Sequence, residues 1–383
     1  MQQSIDGCLG TALPGDKLSA FLEAVFTTNL AHEESSGGRP TPVCIWGTHG
    51  LGKTDIAVHF ARKRGWKLAY CAPAQFEEMG DLHGLPFKID PDPTIHGDER
   101  TVYMPPDWVP TEEGPGILIL DDINRADDRI LRGVMQLLQN FEMFSWSIPK
   151  KWQILATANP DNGVYSVTPM DDAMLTRMLH VTLTFDAKAW AAWALANGID
   201  QRGIDFVLTY PEAVTGKRTT PRSLTQFFRQ IAPIPYLHAS LDLVHVLAAS
   251  GLDVETAAAF TSFVQESMAK IPSSAEILGA DNPKDFLERI AKLSKSETEK
   301  RVDLVATICT RLLIVLGHGK NELPANAAKN LIALLVSDAL PGDLRFSMHR
   351  DLAILAKGNA PGAKISATVC KDPGVAKIVL NSM

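Results

Sequence analysis

Apolar and polar residues alternate along the chain in two textures. Residues 17–32 (KLSAFLEAVFTTNLAH) carry apolar side chains at helical spacing, and ESSGGRPTP at 33–41 breaks that pattern with Gly and Pro. A short leading helix and a linker are therefore expected over 1–40. From Pro42 onward, continuous apolar runs take turns with helical stretches. The runs are PVCIWG, KLAYCA, GILILD at 116–121, WQILATA at 152–158 and LHVTLT at 179–184; helices are expected from Lys53 to about Arg64 and over 128–140 (DRILRGVMQLLQN). Unbroken apolar strands between amphipathic helices predict a parallel sheet covered on both faces, here of five strands. After Phe185 the strand-like runs stop, and amphipathic helical segments continue to the end of the chain. With 383 residues, more than one hydrophobic core usually supports, several domains are expected. The pattern divides them as an α/β domain over 41–185, a helical domain over 186–270 and a further helical domain over 271–383.

Two stretches interrupt the alternation. Residues 85–115 are rich in Pro, Asp and Gly, and residues 141–151 (FEMFSWSIPKK) are aromatic. Both exceed the usual connection of about two to six residues, and long ordered insertions tend to serve function. Phe87, Tyr103, Phe144 and Trp146 are the side chains there that would face a substrate or partner, unless they pack locally at the loop bases.

Composition narrows the class. With 45% hydrophobic and 21% charged residues the chain can build packed cores. No apolar run approaches the roughly 18 residues of a membrane span, and MQQSIDGCLG lacks the basic-then-apolar layout of a secretory signal, so a cytoplasmic address without membrane contact is expected. Cys8, Cys44, Cys71, Cys309 and Cys370 are scattered and form no CxxC pair, which suggests neither a disulfide framework nor a zinc site. A net charge of -7 argues against a dominant nucleic-acid footprint and favours protein partners.

One motif carries specific chemistry. Gly47-Thr48-His49-Gly50-Leu51-Gly52-Lys53-Thr54 fits the pattern GxxxxGK(S/T), after a buried strand and at the head of a helix. Its glycines let main-chain N–H groups curl around phosphate oxygens, and the helix N-terminus adds partial positive charge. Lys53 would reach the β- and γ-phosphates of ATP, and the Thr54 hydroxyl would ligate Mg²⁺. A second element, the run from Gly116 to Leu120, ends in Asp121 and Asp122. Carboxylates at the carboxyl end of a parallel strand point into the crevice where such sheets bind ligands. Asp121 would hold Mg²⁺ through water, and Asp122 would orient and deprotonate the attacking water.

With Ile123-Asn124-Arg125-Ala126 after the two acids, and Ala156-Thr157-Ala158-Asn159-Pro160 ending the next strand, the chain resembles the MoxR-type branch of AAA+ ATPases over about residues 40–235. The resemblance implies an AAA+ P-loop NTPase core followed by an all-helical lid. Asn159 matches the sensor-1 position, which helps place the lytic water. The segment from Asp171 to Met178 is similar to the one that carries the family's arginine finger, making Arg177 the finger for a neighbouring subunit's site. Thr219-Thr220-Pro221-Arg222 resembles the sensor-2 segment, so that Arg222 would point at nucleotide in its own subunit or across an interface. Arg125 also belongs to the shared motif. Three positions depart from it: Asp122 stands where the family usually has Glu, Thr176 where it has Asp and Met178 where it has Phe. The shorter acid would hold the water less well and slow hydrolysis. In this branch one insertion lies within the second helix and another precedes sensor 1, which accounts for 85–115 and 141–151. The implied activity is ATP hydrolysis by a ring, a hexamer of identical chains, that remodels or activates a protein bearing a von Willebrand factor A domain. A nucleic-acid motor and a slow nucleotide-dependent binding switch are the alternatives.

Overall fold

In the computed structural model, which describes residues 7–89, 99–295, 300–319 and 322–381, the apolar runs pair into one parallel sheet. In chain order the strands are β1 (Thr11–Leu13), β2 (Val43–Trp46), β3 (Lys67–Cys71), β4 (Leu85–Ile89), β5 (Arg100–Met104), β6 (Gly116–Leu120), β7 (Glu142–Met143), β8 (Trp146–Ser147), β9 (Trp152–Ala158) and β10 (Leu179–Leu183). The sheet has the order β1-β10-β2-β9-β6-β3, while β4–β5 and β7–β8 are separate antiparallel hairpins. The expected five strands are therefore six. The added strand, β1, pairs Thr11 with Val181 and Leu13 with Leu183. Three residues are too few to show an alternation; what fixes them is the row of main-chain donors and acceptors that β10 would otherwise leave unpaired.

The unbroken apolar texture follows from burial on both faces. Val43 and Ile45 of β2 join the cluster under α1 (Gly15–Ser36) and α2 (Lys53–Arg64), while Cys44 and Trp46 join the opposite one, under α3 (Met79–His83) and α4 (Asp128–Asn140). Leu18, Leu22 and Phe26 of α1 are at most 1% exposed. Burial at that level contributes about 1.5–3 kcal/mol per side chain. Helix α4 turns Ile130, Leu131, Val134, Leu137 and Leu138 toward the sheet, and Asp127 caps its start by accepting the Ile130 N–H at 2.9 Å.

Register places three strand ends side by side. Trp46 lies opposite Ala158, and Leu120 opposite Ala156. The chain leaves β2 into Gly47, β9 into Asn159 and β6 into Asp121, so the motifs open from adjacent strands at the carboxyl edge of the sheet, where open α/β sheets bind ligands.

Both insertions are hairpins. In the first, β4 and β5 pair Phe87 with Val102, and its middle, 90–98, lies outside the described residues. In the second, β7 and β8 pair Met143 with Trp146. Trp146 is buried and donates to the His83 carbonyl at 3.0 Å, so it packs locally. Tyr103 and Phe144 stack at 4.6 Å between ring centres, with Phe144 and Phe87 largely exposed.

The chain divides into two compact units, 1–185 and 186–383. After α5 (Asp172–Leu175) and β10, the second unit begins with α6 (Ala187–Ala196), α7 (Gln201–Thr209) and α8 (Pro221–Ile231). Its described residues hold no strand, as the change of texture predicts. The helix Val302–His318 packs on α6 and α7, joining residues from both sides of position 270 in one body. Among the described residues no helix is long and apolar enough to cross a membrane.

Candidate active site

The loop between β2 and α2 turns on left-handed glycines: φ is 72° at Gly50 and 88° at Gly52, a region that disfavours a Cβ. Lys53, the first residue of α2, is 7% exposed and folds back over the loop. Its Nζ donates to the Gly47 carbonyl at 2.8 Å, to the Thr48 carbonyl at 3.3 Å and to Asn159 Oδ1 at 3.1 Å. The next residue, Thr54, donates through its hydroxyl to Asp121 Oδ1 at 2.6 Å.

Asp121 is held from several sides. Thr157 also donates to Oδ1 at 2.8 Å, and the same hydroxyl accepts the Asp122 main-chain N–H at 2.8 Å. The Tyr70 hydroxyl donates to Oδ2 at 2.9 Å. Burial, then the hydrogen bond to Asp121 and the charges of Asp121 and Asp122, push the Tyr70 phenol up to about 12. Asp122 takes a left-handed conformation, φ 48°, which Asp tolerates better than most residues. Its carboxylate makes no hydrogen bond among the described residues and is half-buried.

Asn159 is fixed through its own main chain. Its N–H donates to Asn124 Oδ1 at 3.0 Å, and Asn124 Nδ2 donates back to the Asn159 carbonyl at 2.8 Å. The Asn159 side chain is 1% exposed; Oδ1 accepts from Lys53, while Nδ2 has no hydrogen-bond partner among the described residues. A buried amide left so costs about 1–3 kcal/mol unless a ligand or water accepts from it.

This donor set fits ATP with Mg²⁺. The left-handed glycines suit a phosphate cradle, and the unpartnered Asn159 Nδ2 beside the Lys53 ammonium is a donor ready for an anion. Thr54 and Asp121 present two hard oxygens in contact, which is the protein's usual share of a Mg²⁺ shell completed by phosphates and water. Among the described residues no group of three or more His, Cys, Asp or Glu gathers, and a site of that kind needs none.

The structure thus brings Lys53, Thr54, Asp121, Asp122 and Asn159 together. It places Arg177 elsewhere in the same unit. That residue follows α5, and its guanidinium is held by Gln139 Oε1 at 3.0 and 2.8 Å and by the Ala173 carbonyl. Arg222 lies in the second unit, exposed in the first turn of α8. That turn is set by Thr220 and Ser223, which form a capping box with Pro221 at the first helical position.

Tyr70 and Tyr165 escaped the sequence reading, and Asn124 and Thr157 entered it only as members of the shared motifs, without a role. Thr157 had a signal, being a hydroxyl inside the apolar run WQILATA in step with Asn159 on a period of two. Tyr165, which lies 3.0 Å from His49 Nδ1, sits in an irregular segment where no periodicity operates.

Residues 42–178 match the sequence family described as AAA domain (dynein-related subfamily). No curated protein matches the chain. Among solved structures the chain is similar to the Thermotoga maritima RuvB Holliday junction branch migration motor, at 14% identity and a TM-score of 0.33, over 72% of this chain and 76% of that one. A RuvB variant from Thermotoga maritima is 13% identical, with a TM-score of 0.38, over 76% of this chain and 90% of that one. NtrX from Brucella abortus in complex with ADP is 13% identical, with a TM-score of 0.38, over 90% of this chain and 69% of that one. At these TM-scores the likenesses carry no functional argument. The match gives residues 42–178 an AAA domain, and the parallel sheet followed by helices is an α/β AAA+ core with a helical region after it.

Proposed function

We propose that this AAA domain hydrolyses ATP within a ring of identical chains, a MoxR-like hexamer, and that the ring remodels or activates a protein bearing a von Willebrand factor A domain. The observation that carries the ATPase reading is the 2.6 Å contact between Thr54 and Asp121 beside the Lys53–Asn159 pair. It supports a crevice in which groups for metal, phosphate and water would meet.

The main chain of Gly47 to Thr54 would cradle the phosphates, with Lys53 on the β- and γ-phosphates. Thr54 directly and Asp121 through water would hold Mg²⁺, whose charge would offset that of the phosphates. Water attacks the terminal phosphorus, the bond to the ADP oxygen breaks, and Asp122 takes the water's proton. Asn159, free at Nδ2, would donate to that water or to the terminal phosphate. Arg177 would neutralise developing charge in the neighbour's site, exchanging Gln139 for a phosphoryl oxygen. Arg222 would reach nucleotide in its own subunit or across the interface, from the helical lid over residues 186–270, and the helices of 271–383 would extend that lid, dock the partner, or both. Asp122, one methylene shorter than the usual Glu, predicts slow turnover and keeps a nucleotide-dependent binding switch as the second reading.

The test compares two variants of the assembled protein. Lys53→Ala should weaken nucleotide binding roughly 10- to 100-fold, the loss of hydrogen bonds to a charged group. Arg177→Ala should bind nucleotide normally yet turn over about a thousandfold more slowly. Normal binding by Lys53→Ala would end the phosphate-loop reading, and full activity in Arg177→Ala would end the finger assignment.

A further inference from the structure

We infer that Tyr165, acting with His49, tells a nucleoside triphosphate from a diphosphate. The inference rests on the reading of Gly47–Thr54 as a phosphate loop and adds a residue for discrimination to it. The loop has two ends. The main-chain N–H groups at the head of α2, around Gly52 to Thr54, serve the phosphates nearer the nucleoside, whereas the lysine tip reaches the terminal one. Lys53 Nζ lies on the carbonyls of Gly47 and Thr48, at 2.8 and 3.3 Å. The main chain at 47–49 is therefore at the terminal-phosphate end.

The Tyr165 hydroxyl sits at that end. Its oxygen accepts the His49 main-chain N–H at 3.4 Å and lies 3.0 Å from His49 Nδ1. The two rings meet edge to face, 5.8 Å between centres. The segment carrying Tyr165 is anchored at its ends, by the Asp161 N–H on the Gly7 carbonyl at 2.9 Å and the Thr168 N–H on the Asn124 carbonyl at 2.7 Å. Between them, among the described residues, the Tyr165 hydroxyl makes the hydrogen bonds that tie 162–167 to the rest of the unit.

A terminal phosphate oxygen is charged and forms a shorter, stronger bond to an N–H than a phenol does. It would take the His49 donor and displace Tyr165. A diphosphate ends short of His49 and leaves the phenol in place. Tyr165 thus opposes ATP binding and is indifferent to ADP, and its release frees 162–167, which lead to α5 and Arg177.

The experiment uses the full chain with Mg²⁺ and measures affinity for ADP and for a non-hydrolysable ATP analogue. Tyr165→Phe should raise affinity for the analogue about three- to tenfold, the worth of a displaced neutral hydrogen bond, with ADP affinity unchanged. His49→Ala, which keeps the main-chain donor but lacks Nδ1, should shift the ratio the same way and less. Hydrogen exchange at 162–167 in the unmutated protein should be faster with the analogue than with ADP. Equal changes for both nucleotides, weaker analogue binding or identical exchange would overturn the inference while leaving the phosphate loop intact. An unmutated protein that bound neither nucleotide would overturn the phosphate-loop reading itself and the inference with it.

Discussion

At the scale of single residues, the carboxylate of Asp121 shows how a site is tuned by neighbours outside its motif. Two threonines hold one oxygen and Tyr70 the other. The phenol's ionisation moves from the ordinary 10 to about 12, through burial first and then through the hydrogen bond and charges of the two acids. A folded-state value raised above the unfolded one means that the folded protein holds this proton more tightly. The stability that goes with it is complete below pH 10 and is lost as pH rises toward 12. Tyr70→Phe is expected to flatten the fall in unfolding midpoint across that window and to remove a late-titrating phenol from the ultraviolet titration. Unchanged alkaline behaviour in the variant would show that the contact with Asp121 does not govern this tyrosine.

At the scale of elements, one relay joins the strand that feeds the phosphate loop to the turn that carries Arg177. Trp46 Nε1, a donor only, lies 3.0 Å from His180 Nδ1, so that nitrogen accepts. The His180 proton is then on Nε2, which donates to the Leu175 carbonyl at 2.8 Å. β2, β10 and the end of α5 are tied through a single imidazole. His180→Ala strands the Trp46 N–H, in a side chain 3% exposed, and should lower stability by about 1–3 kcal/mol in denaturant titration. ATP turnover in the assembled protein should fall more than nucleotide affinity, because Arg177 loses its footing and Lys53 does not. An equal loss of both would refute the relay's part in placing Arg177.

At the scale of the whole molecule, each unit buries its own set of apolar side chains, and the second adds a buried ion pair. The first is held by apolar layers on a sheet. The second contains a buried cation: Arg311, 1% exposed, donates to Asp205 at 2.6 Å, to Ser274 at 3.0 Å and to the Pro272 carbonyl. These contacts tie α7 and the segment at 272–274 to the helix Val302–His318. Removing one member of a buried pair leaves the other charged and unpaired, so Arg311→Ala should cost about 3–5 kcal/mol, read as a lower midpoint of unfolding. A loss of less than about 1 kcal/mol, the range of exposed pairs, would mean that the pair is solvated.

The sequence by itself determined the strands that lie inside the sheet, since a strand buried on both faces must be apolar throughout and WQILATA or GILIL can be little else. It also determined the cluster of Lys53, Thr54, Asp121, Asp122 and Asn159, because the two acids and Asn159 directly follow such strands, Lys53 and Thr54 follow β2 by way of the glycine loop, and parallel pairing brings the carboxyl ends of those strands together. Only the tertiary structure decided the rest. β1 is a strand because β10 has an open edge, and its three residues carry no pattern of their own. Tyr70, Asn124 and Tyr165 reach the site from an edge strand, a short turn and an irregular segment, where side-chain direction depends on the neighbours each segment meets. Arg177 was legible as a residue and not as a geometry. Its hold on Gln139 joins the turn after α5 to α4 across the chain, and no local pattern records which distant segment a side chain will meet.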